Sequence, residues 1–373
     1  MNIAILGFQS LGRKVFEILT AKKSLIYRNY DINISYIFIT DNNIQLLPQI
    51  ATNNYSDILN DTSIDLIIDT LENVDSFEYV KMALYSSKHV ITISSNLIAK
   101  HYVELEAIAI DMHVKLLFSG SVLPTNVIYS LLSDTSYNEI KRINAILDDD
   151  INNLLSLMTK DNLSFDDAIN IASLDKNIEE LEKNAKDKLA IISMISFDTT
   201  INVDEIYTYS IKTITDDFIL VANLLGYKIK YMGEALLNQS RVNAMIEPVL
   251  IKSNDLFANV ENRLSAVRYY GEYIDSKTFC SKSNILISAN EIISDIRLVL
   301  SDYRQKFMPR NSYICNGNRH ILSKYLIRPK VMNDYFRKIA EKNLDKIIVT
   351  EPILGEELLE HLSEILFYAR IID

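Results

Sequence analysis

The apolar positions in the first 135 residues form short runs separated by amphipathic stretches. Between the runs, apolar residues recur with the period of a helix, as in LGRKVFEILTAK and LIAKHYVELEAIAIDM. Strands that alternate with helices of about 10–15 residues predict a parallel sheet with helices on both faces. We therefore expect an α/β, doubly wound domain over residues 1–135. Its predicted strands are NIAILGF, INISYIFIT, IDLIIDT, HVITIS and VKLLFSGS.

The pattern changes over residues 136–307. A strand, IKRINAIL, is followed by a long helical region that ends in DKLAIISMISF. Strand-like segments then return at IKYMGEALL, MIEPVLI and RLSAVRYYG. This mixture predicts an α+β domain with a mixed or antiparallel sheet. Its last helix, NEIISDIRLVLSDYRQKF, is a candidate to pack back on the first domain.

The tail is a third region. Residues 320–373 read as strand, helix, strand, helix and strand, which predicts a small βαβαβ unit. The polar segment MPRNSYICNGNRH, residues 308–320, is the best candidate for a linker. The predicted organisation is thus two larger domains followed by a short C-terminal unit.

Composition narrows the class of protein. The chain has 373 residues, of which 48% are hydrophobic, and a net charge of −11. This acidic balance argues against nucleic-acid partners, which need a basic face. The two cysteines, Cys280 and Cys315, are too few for a disulfide framework or a four-ligand zinc site. Without a basic, apolar leader or a long apolar run, we expect a soluble cytoplasmic protein with no membrane partner.

The first strand leads into a turn that is typical of dinucleotide binding. Gly7 and Gly12 occupy the outer positions of the fingerprint G-x-G-x-x-G, and Gln9 replaces the middle glycine. The turn predicts a Rossmann-like domain that binds NAD or NADP, with the pyrophosphate at the helix N-terminus. Asp41, after the second strand, is the candidate for the ribose hydroxyl and would favour NAD. The predicted cofactor-binding residues of the turn are Gly7, Phe8, Gln9, Ser10, Leu11 and Gly12.

Several segments, in order, resemble the homoserine dehydrogenase family over nearly the whole chain. The family interconverts aspartate semialdehyde and homoserine with a nicotinamide cofactor, in amino-acid biosynthesis. The resemblance implies an NAD(P)-dependent oxidoreductase, a small amino-acid-like substrate and a homodimer. It also makes the tail similar to a shortened ACT-type regulatory unit. The segments that carry it are NIAILGFQSLG, DLIIDTLEN, KHVITISSNLIAKHYVELEAIA, LLFSGSVLPTNVI, INAILDDDINNLLSLM, DKLAIISMISF, LFANVENRLSAV and ANEIISDI.

The resemblance assigns roles to individual residues. The catalytic lysine of the family falls on Lys188, and its substrate-binding residues fall on Asn184 and Glu179. By composition alone, Lys188 and Glu179 are ordinary solvated helix residues. Outside the glycine turn and Asp41, the resemblance implies cofactor contacts at Thr70, Thr92, Ser94 and Ser95.

The same positions depart from the family pattern. Ser95 replaces a lysine, Asn184 replaces an aspartate, and Ser119 replaces the glutamate of a cation-binding loop. A glycine-rich loop of the family falls on residues 280–289, which contain no glycine. Residues 148–150 are three adjacent aspartates, but adjacent side chains diverge, so we predict no metal site.

The departures leave several functions open. Glycine makes up only 8 of the 373 residues, against about 7% in typical proteins. A codon bias toward A and T explains lost glycines, but it favours lysine and so does not explain Ser95. We expect a homoserine dehydrogenase-like oxidoreductase with impaired or altered activity. The alternatives are an inactive family member with a binding, regulatory or assembly role, and a dehydrogenase with a changed substrate.

Overall fold

The chain forms two compact units, as shown by a computed structural model that describes residues 1–22, 24–40, 49–72, 74–172, 177–301 and 307–372. The first unit comprises Met1–Asp134 and Ser283–Arg310. The second comprises Thr135–Lys282 and Asn311–Asp373.

The helices and strands follow one another along the chain without long gaps. Up to residue 134 they are β1 (Asn2–Leu6), α1 (Ser10–Thr20), α2 (Leu25–Asn29), β2 (Asn33–Phe38), β3 (Ala51–Thr52), α3 (Tyr55–Asn60), β4 (Ile64–Asp69), α4 (Phe77–Tyr85), β5 (His89–Thr92), α5 (Ser95–Asp111), β6 (Leu116–Leu117) and α6 (Val127–Asp134). From residue 135 to 300 they are β7 (Ile140–Ile146), α7 (Asp149–Asp161), α8 (Phe165–Ala172), α9 (Ile178–Phe197), β8 (Tyr207–Thr208), α10 (Asp216–Leu224), β9 (Tyr227–Asn238), β10 (Arg241–Lys252), β11 (Leu264–Gly271), β12 (Lys277–Lys282) and α11 (Ile285–Leu300). The tail contains β13 (Ile314–Cys315), β14 (Leu322–Ser323), β15 (Tyr325–Pro329), α12 (Asp334–Ile339), β16 (Ala340–Leu344), β17 (Ile347–Thr350), β18 (Ile353–Leu354), α13 (Gly355–Glu360) and β19 (Ile365–Ile372).

The first unit is built on a six-stranded sheet with the order β3-β2-β1-β4-β5-β6. All of its strand pairs are parallel. Parallel strands are buried on both faces, which explains why β1 is apolar and fully buried from Ile3 to Leu6. The strand order reverses between β1 and β4, and ligands of such sheets bind outside the carboxyl ends of the strands at this point. The predicted doubly wound parallel sheet is confirmed.

Helix α11 belongs to the first unit, although more than 140 residues separate it from the rest of that unit in sequence. Its buried residues Ala289, Ile292 and Ile296 share a core with β1 and α1. The helix begins at Ile285, capped by the Asn284 side chain, which accepts a hydrogen bond from the amide of Ile287 at 2.9 Å. Part of the stretch matched to the glycine-rich loop of the family is therefore helix, and residues 280–282 end strand β12.

The second unit is built on a mixed sheet of eleven strands. Its main path is β12-β11-β7-β9-β10-β19-β15-β17-β16, and β8 and β13 also pair with β10. Helix α9 packs on one face of this sheet. Gly233 of β9 permits the contact, because a Cβ there would lie 3.2 Å from the side chains of Leu147 and Leu189. The predicted mixed sheet is confirmed.

The tail differs from its sequence-based prediction. It reads β15-α12-β16-β17-α13-β19, and the spatial order β19-β15-β17-β16 makes it a ferredoxin-like βαββαβ arrangement. The predicted βαβαβ unit lacked strand β16, which sequence analysis assigned to a helix. This strand is at the edge of the sheet and is largely exposed, so it carries no apolar signal. Strand β19 pairs with β10, so the tail continues the large sheet and does not form a separate one.

Buried charges connect the tail to the centre of this sheet. Arg370 of β19 donates to Glu247 of β10 and to Glu234 of β9, both at 2.5 Å. Glu234 also pairs with Arg142 of β7 at 2.6 Å. Arg370, Glu234 and Glu247 are each no more than 4% exposed. Over the residues that the structure describes, no helix is long and apolar enough to cross a membrane.

Candidate functional site

The turn after β1 needs both of its glycines. Gly7 has a φ of +88°, and a Cβ on it would lie 2.7 Å from the carbonyl oxygen of Thr70. A Cβ on Gly12 would lie 2.1 Å from the carbonyl oxygen of Gly7. The Thr70 hydroxyl closes the same contact, donating to the carbonyls of Leu6 at 2.8 Å and Gly7 at 3.1 Å. The turn is therefore a tight backbone crossing between the ends of β1 and β4.

The start of helix α1 is open to an anion. Gln9 is the N-cap residue, but its side chain makes no capping hydrogen bond, and the first turn holds no acidic residue. Gln9 and Ser10 are exposed, whereas Leu11 is buried and Phe8 packs edge-on against Phe16 with ring centres 5.6 Å apart. The positive end of the helix therefore lacks a side-chain acceptor from its own residues. These residues fit the pyrophosphate of a dinucleotide, with Gln9 beside it.

The other predicted cofactor residues lie at the carboxyl ends of β4 and β5. Thr92 donates to Asp69 at 2.8 Å and accepts from the amide of Ser94 at 3.1 Å. Burial raises the pKa of Asp69. Ser94 caps α5 by accepting from the amide of Leu97, and Ser95 is the first residue of that helix, 9% exposed. The hydroxyls of Thr92 and Ser94 therefore shape the sheet edge. Asp41 lies outside the described residues.

Lys188 of α9 faces carboxyl groups at the end of β7. Its Nζ donates to the carbonyl of Leu147 at 2.9 Å. The next residue, Asp148, caps α7 by accepting from the amide of Ile151 at 2.9 Å. Burial raises the pKa of Asp148 to about 6, and the positive charge of Lys188 opposes this shift. Burial also raises the pKa of Asp149, again against Lys188.

The two predicted substrate residues lie at different distances from Lys188. Asn184 is one helical turn away, or about 6 Å along the axis, and is partly exposed. Glu179 is nine residues away, or about 13.5 Å along the axis. It is exposed and pairs with Lys212 at 2.5 Å. The structure thus brings Lys188 together with Asp148 and Asp149, and it does not place Glu179 beside them.

Sequence analysis did not select the carboxyl group that α9 buries. Glu182 accepts hydrogen bonds from the Ser210 hydroxyl at 2.8 Å and the Ile211 amide at 3.0 Å. Burial raises its pKa. In the sequence it stands among other charged residues of one helix, so only its apolar neighbours Leu181 and Ala185 gave a signal for burial.

A second buried acidic group lies in the first unit, around Ser119. Asp295 of α11 accepts from the Ser119 hydroxyl at 2.7 Å, the Ser119 amide at 3.2 Å and the Tyr129 hydroxyl at 2.5 Å. Burial raises the pKa of Asp295 to about 7. Glu291, one turn earlier, is 3% exposed, and its Oε2 atom has no hydrogen-bond partner within the described part of the chain. The carboxyl groups at this loop therefore come from α11, and Ser119 supplies only a donor.

Asp295 predicts a pH dependence of stability. Its carboxyl keeps a proton in the folded state up to about pH 7, whereas in the unfolded chain it ionises near its ordinary pKa of about 3.9. This group therefore stabilises the fold at low pH and loses that contribution as pH rises through about 4 to 7. We expect Asp295→Asn to flatten the dependence of unfolding free energy on pH in this window, by up to about 1.4 kcal/mol per pH unit. Urea unfolding at a series of pH values measures this, and the exposed Asp334→Asn is the control. Equal slopes for wild type and Asp295→Asn would contradict the assignment.

No metal centre is evident in the described residues. There, no group of three or more His, Cys, Asp or Glu side chains is placed to hold a metal ion.

Comparison with known proteins agrees with this architecture. A family model described as homoserine dehydrogenase matches residues 127–296. The homoserine dehydrogenase of Bacillus subtilis is 23% identical over 321 residues, covering 82% of this chain and 74% of that protein. The crystal structure of a homoserine dehydrogenase from Thiobacillus denitrificans superposes with a TM-score of 0.89 at 22% identity, covering 100% of this chain and 98% of that one. A hyperthermophilic archaeal homoserine dehydrogenase in complex with NADPH superposes with a TM-score of 0.69 at 17% identity, covering 82% of this chain and 99% of that one.

The glycine turn at the switch point of a parallel sheet, followed by a mixed-sheet domain with a lysine-bearing helix, defines the class of two-domain dinucleotide-binding oxidoreductase folds. Within this class, the chain is a distant member of the homoserine dehydrogenase family.

Proposed function

We propose that this protein is a homoserine dehydrogenase-like oxidoreductase whose activity is impaired or altered. It binds NAD or NADP at the turn between β1 and α1, and a small amino-acid-like substrate near α9. The observation that carries the proposal is the position of Lys188, whose ammonium group is engaged by a backbone carbonyl and faces two aspartates.

The glycine turn supports cofactor binding. Gly7 and Gly12 keep the strand and helix close enough for the first-turn amides of α1 to reach a pyrophosphate. When bound, the nicotinamide supplies or accepts the hydride. Gln9 adds a polar side chain where the fingerprint has no side chain, so it is the residue of this turn that sets how the pyrophosphate fits.

The second unit supports impairment. Interconversion of an aldehyde and an alcohol develops negative charge on oxygen, which a positioned cation stabilises. Asp148 and Asp149 place negative charge beside the one cation that the resemblance assigns to this role. Ser95 replaces the second lysine of the family pattern. Loss of one such group lowers the rate by about 10²–10³-fold, although losses at coupled residues do not simply multiply.

An inactive scaffold is the second candidate, and the tail favours it. The βαββαβ order of β15 to β19 is complete, which is the arrangement of an ACT-type regulatory unit. In this case the protein retains cofactor or amino-acid binding and acts in regulation or assembly. For both candidates we propose a cytoplasmic homodimer, on the strength of the family resemblance.

Lys188 tests the proposal. We expect Lys188→Met to lower the residual homoserine-dependent reduction of NAD(P)⁺ by about 10²-fold, because the variant removes the cation near the developing charge. Cofactor affinity should not change, since Lys188 lies in the second unit. Lys183→Met, an exposed lysine of the same helix, is the matched control. Turnover unaffected by Lys188→Met would rule out its catalytic role. Cofactor binding without any turnover in the wild type would select the inactive scaffold.

A further inference from the structure

A polar cavity of about 290 Å³ lies in the second unit, away from Lys188. Strand β7 separates the two places. Ala145 pairs with Gly233, which faces Leu189 of α9, so the neighbouring residue Asn144 points to the opposite face of the sheet. The cavity lies on that opposite face. Its polar lining residues include Arg142, Asn144, Lys252, Asp255, Arg268 and Tyr270.

Two arginines form the basic side of the cavity. Arg142 pairs with Glu234 through one terminal nitrogen at 2.6 Å, but its buried Nε has no acceptor among the described residues. Arg268 donates to the Tyr270 hydroxyl at 3.2 Å and lies 3.6 Å from Asp255, with its guanidinium stacked on Phe257. Packing thus holds the Arg268 guanidinium in place, while its contact with the carboxylate is longer than a hydrogen bond.

The cavity also has an acidic side. Asn144 is 7% exposed, and its Oδ1 lacks a donor among the described residues. Asp255 caps the amide of Phe257 with one oxygen at 2.7 Å, and its side chain remains 38% exposed. Buried polar atoms without partners are rare in folded proteins and call for a physical reason. Here one missing partner is an acceptor and the other is a donor.

We propose that this cavity binds an α-amino acid, with the ligand carboxylate at Arg142 and Arg268 and its ammonium group at Asn144 and Asp255. The carboxylate supplies the acceptor that Arg142 Nε lacks, in the planar geometry that guanidinium groups recognise. The ammonium supplies the donor that Asn144 Oδ1 lacks. The volume suits a ligand of amino-acid size and is too small for a dinucleotide.

This second site goes beyond the proposed reaction and does not depend on it. Asn144 lies three residues before Leu147, whose carbonyl holds Lys188 on the other side of the sheet. The two sites therefore share strand β7 but no side chain, and substitutions can separate them.

Calorimetric titration of the full-length protein with three related compounds tests the proposal. L-Serine has both charged groups, 3-hydroxypropanoate lacks the ammonium, and ethanolamine lacks the carboxylate. We expect L-serine to bind at least about tenfold more tightly than either of the others, because a hydrogen bond to a charged group contributes about 1.5–3 kcal/mol. Equal binding of 3-hydroxypropanoate and L-serine, or no binding of L-serine up to ~50 mM, would overturn the proposal.

Variants locate the binding. Asp255→Asn keeps an oxygen that can cap Phe257 but loses the charge, and Arg268→Gln removes the guanidinium; both should weaken L-serine binding by about tenfold or more. Lys188→Met should leave it unchanged, and a thermal unfolding curve checks that each variant folds. If Lys188→Met abolishes L-serine binding while the cavity variants retain it, the amino acid binds at α9 and the second site does not exist. That result would leave the proposed function standing.

Discussion

Replacing Arg370 with methionine is expected to lower the free energy of unfolding by about 3–5 kcal/mol. Arg370 is 4% exposed and donates at 2.5 Å to both Glu234 and Glu247, which are fully enclosed in the sheet. Burial alone would raise the pKa of Glu234, but Arg370 and Arg142 outweigh it and hold the pKa low. Methionine would fill the space and leave a buried carboxylate without its partner. Because β19 joins the tail to β10, we also expect the tail to lose its order first.

Urea unfolding of the variant measures this effect. Arg337→Met is the matched control, since Arg337 makes an exposed ion pair with Asp334 at 3.2 Å and should change stability by less than about 0.5 kcal/mol. A loss below 1 kcal/mol for Arg370→Met would mean that water or protonation satisfies the two glutamates, contrary to the contacts described above.

Substitution of Gly12 by alanine is expected to remove most of the affinity for NAD(P). The added Cβ would lie 2.1 Å from the Gly7 carbonyl oxygen and 2.7 Å from the Thr70 hydroxyl. Helix α1 must then move away from β1, which shifts the amides that face the pyrophosphate. We expect affinity to fall at least about tenfold, with a cost of about 1–3 kcal/mol in stability from overpacking.

Fluorescence titration with NADH and NADPH measures the affinity of the Gly12 variant. Gly226→Asn is the control, because Gly226 has a φ of +83° with no atom within 4 Å of its Cβ position, and asparagine tolerates this backbone conformation. Cofactor affinity of Gly12→Ala equal to that of the wild type would show that the turn is not the binding site.

Sequence patterns predicted the first unit well because its signals are local. Strand β1 is an unbroken buried apolar run, and the glycine turn follows it directly. The mixed sheet of the second unit was also predicted, because the long strands β9 and β10 keep their apolar pattern. Strand β16 was missed because an exposed, charged edge strand has no such pattern. Strands β8 and β13 are two residues each, too short to leave a periodic signal.

The candidate site was less predictable, because its contacts are between residues distant in sequence. Position in a motif selected Lys188, but only the fold shows that Asp148 and Asp149 lie beside it. Similarly, Asp295 meets Ser119 across 176 residues of chain. Glu179 shows the opposite case, because the sequence pattern selected it and the structure pairs it with Lys212 at the surface.

The most direct test of the central claim is the turnover number with homoserine and either NAD⁺ or NADP⁺, measured on a sample whose cofactor binding has been titrated. We predict that the protein binds a nicotinamide cofactor and that its turnover lies at least ~100-fold below the ~1–10³ per second of ordinary enzymes. Turnover within that ordinary range would contradict the claim that Asp148, Asp149 and Ser95 impair the reaction.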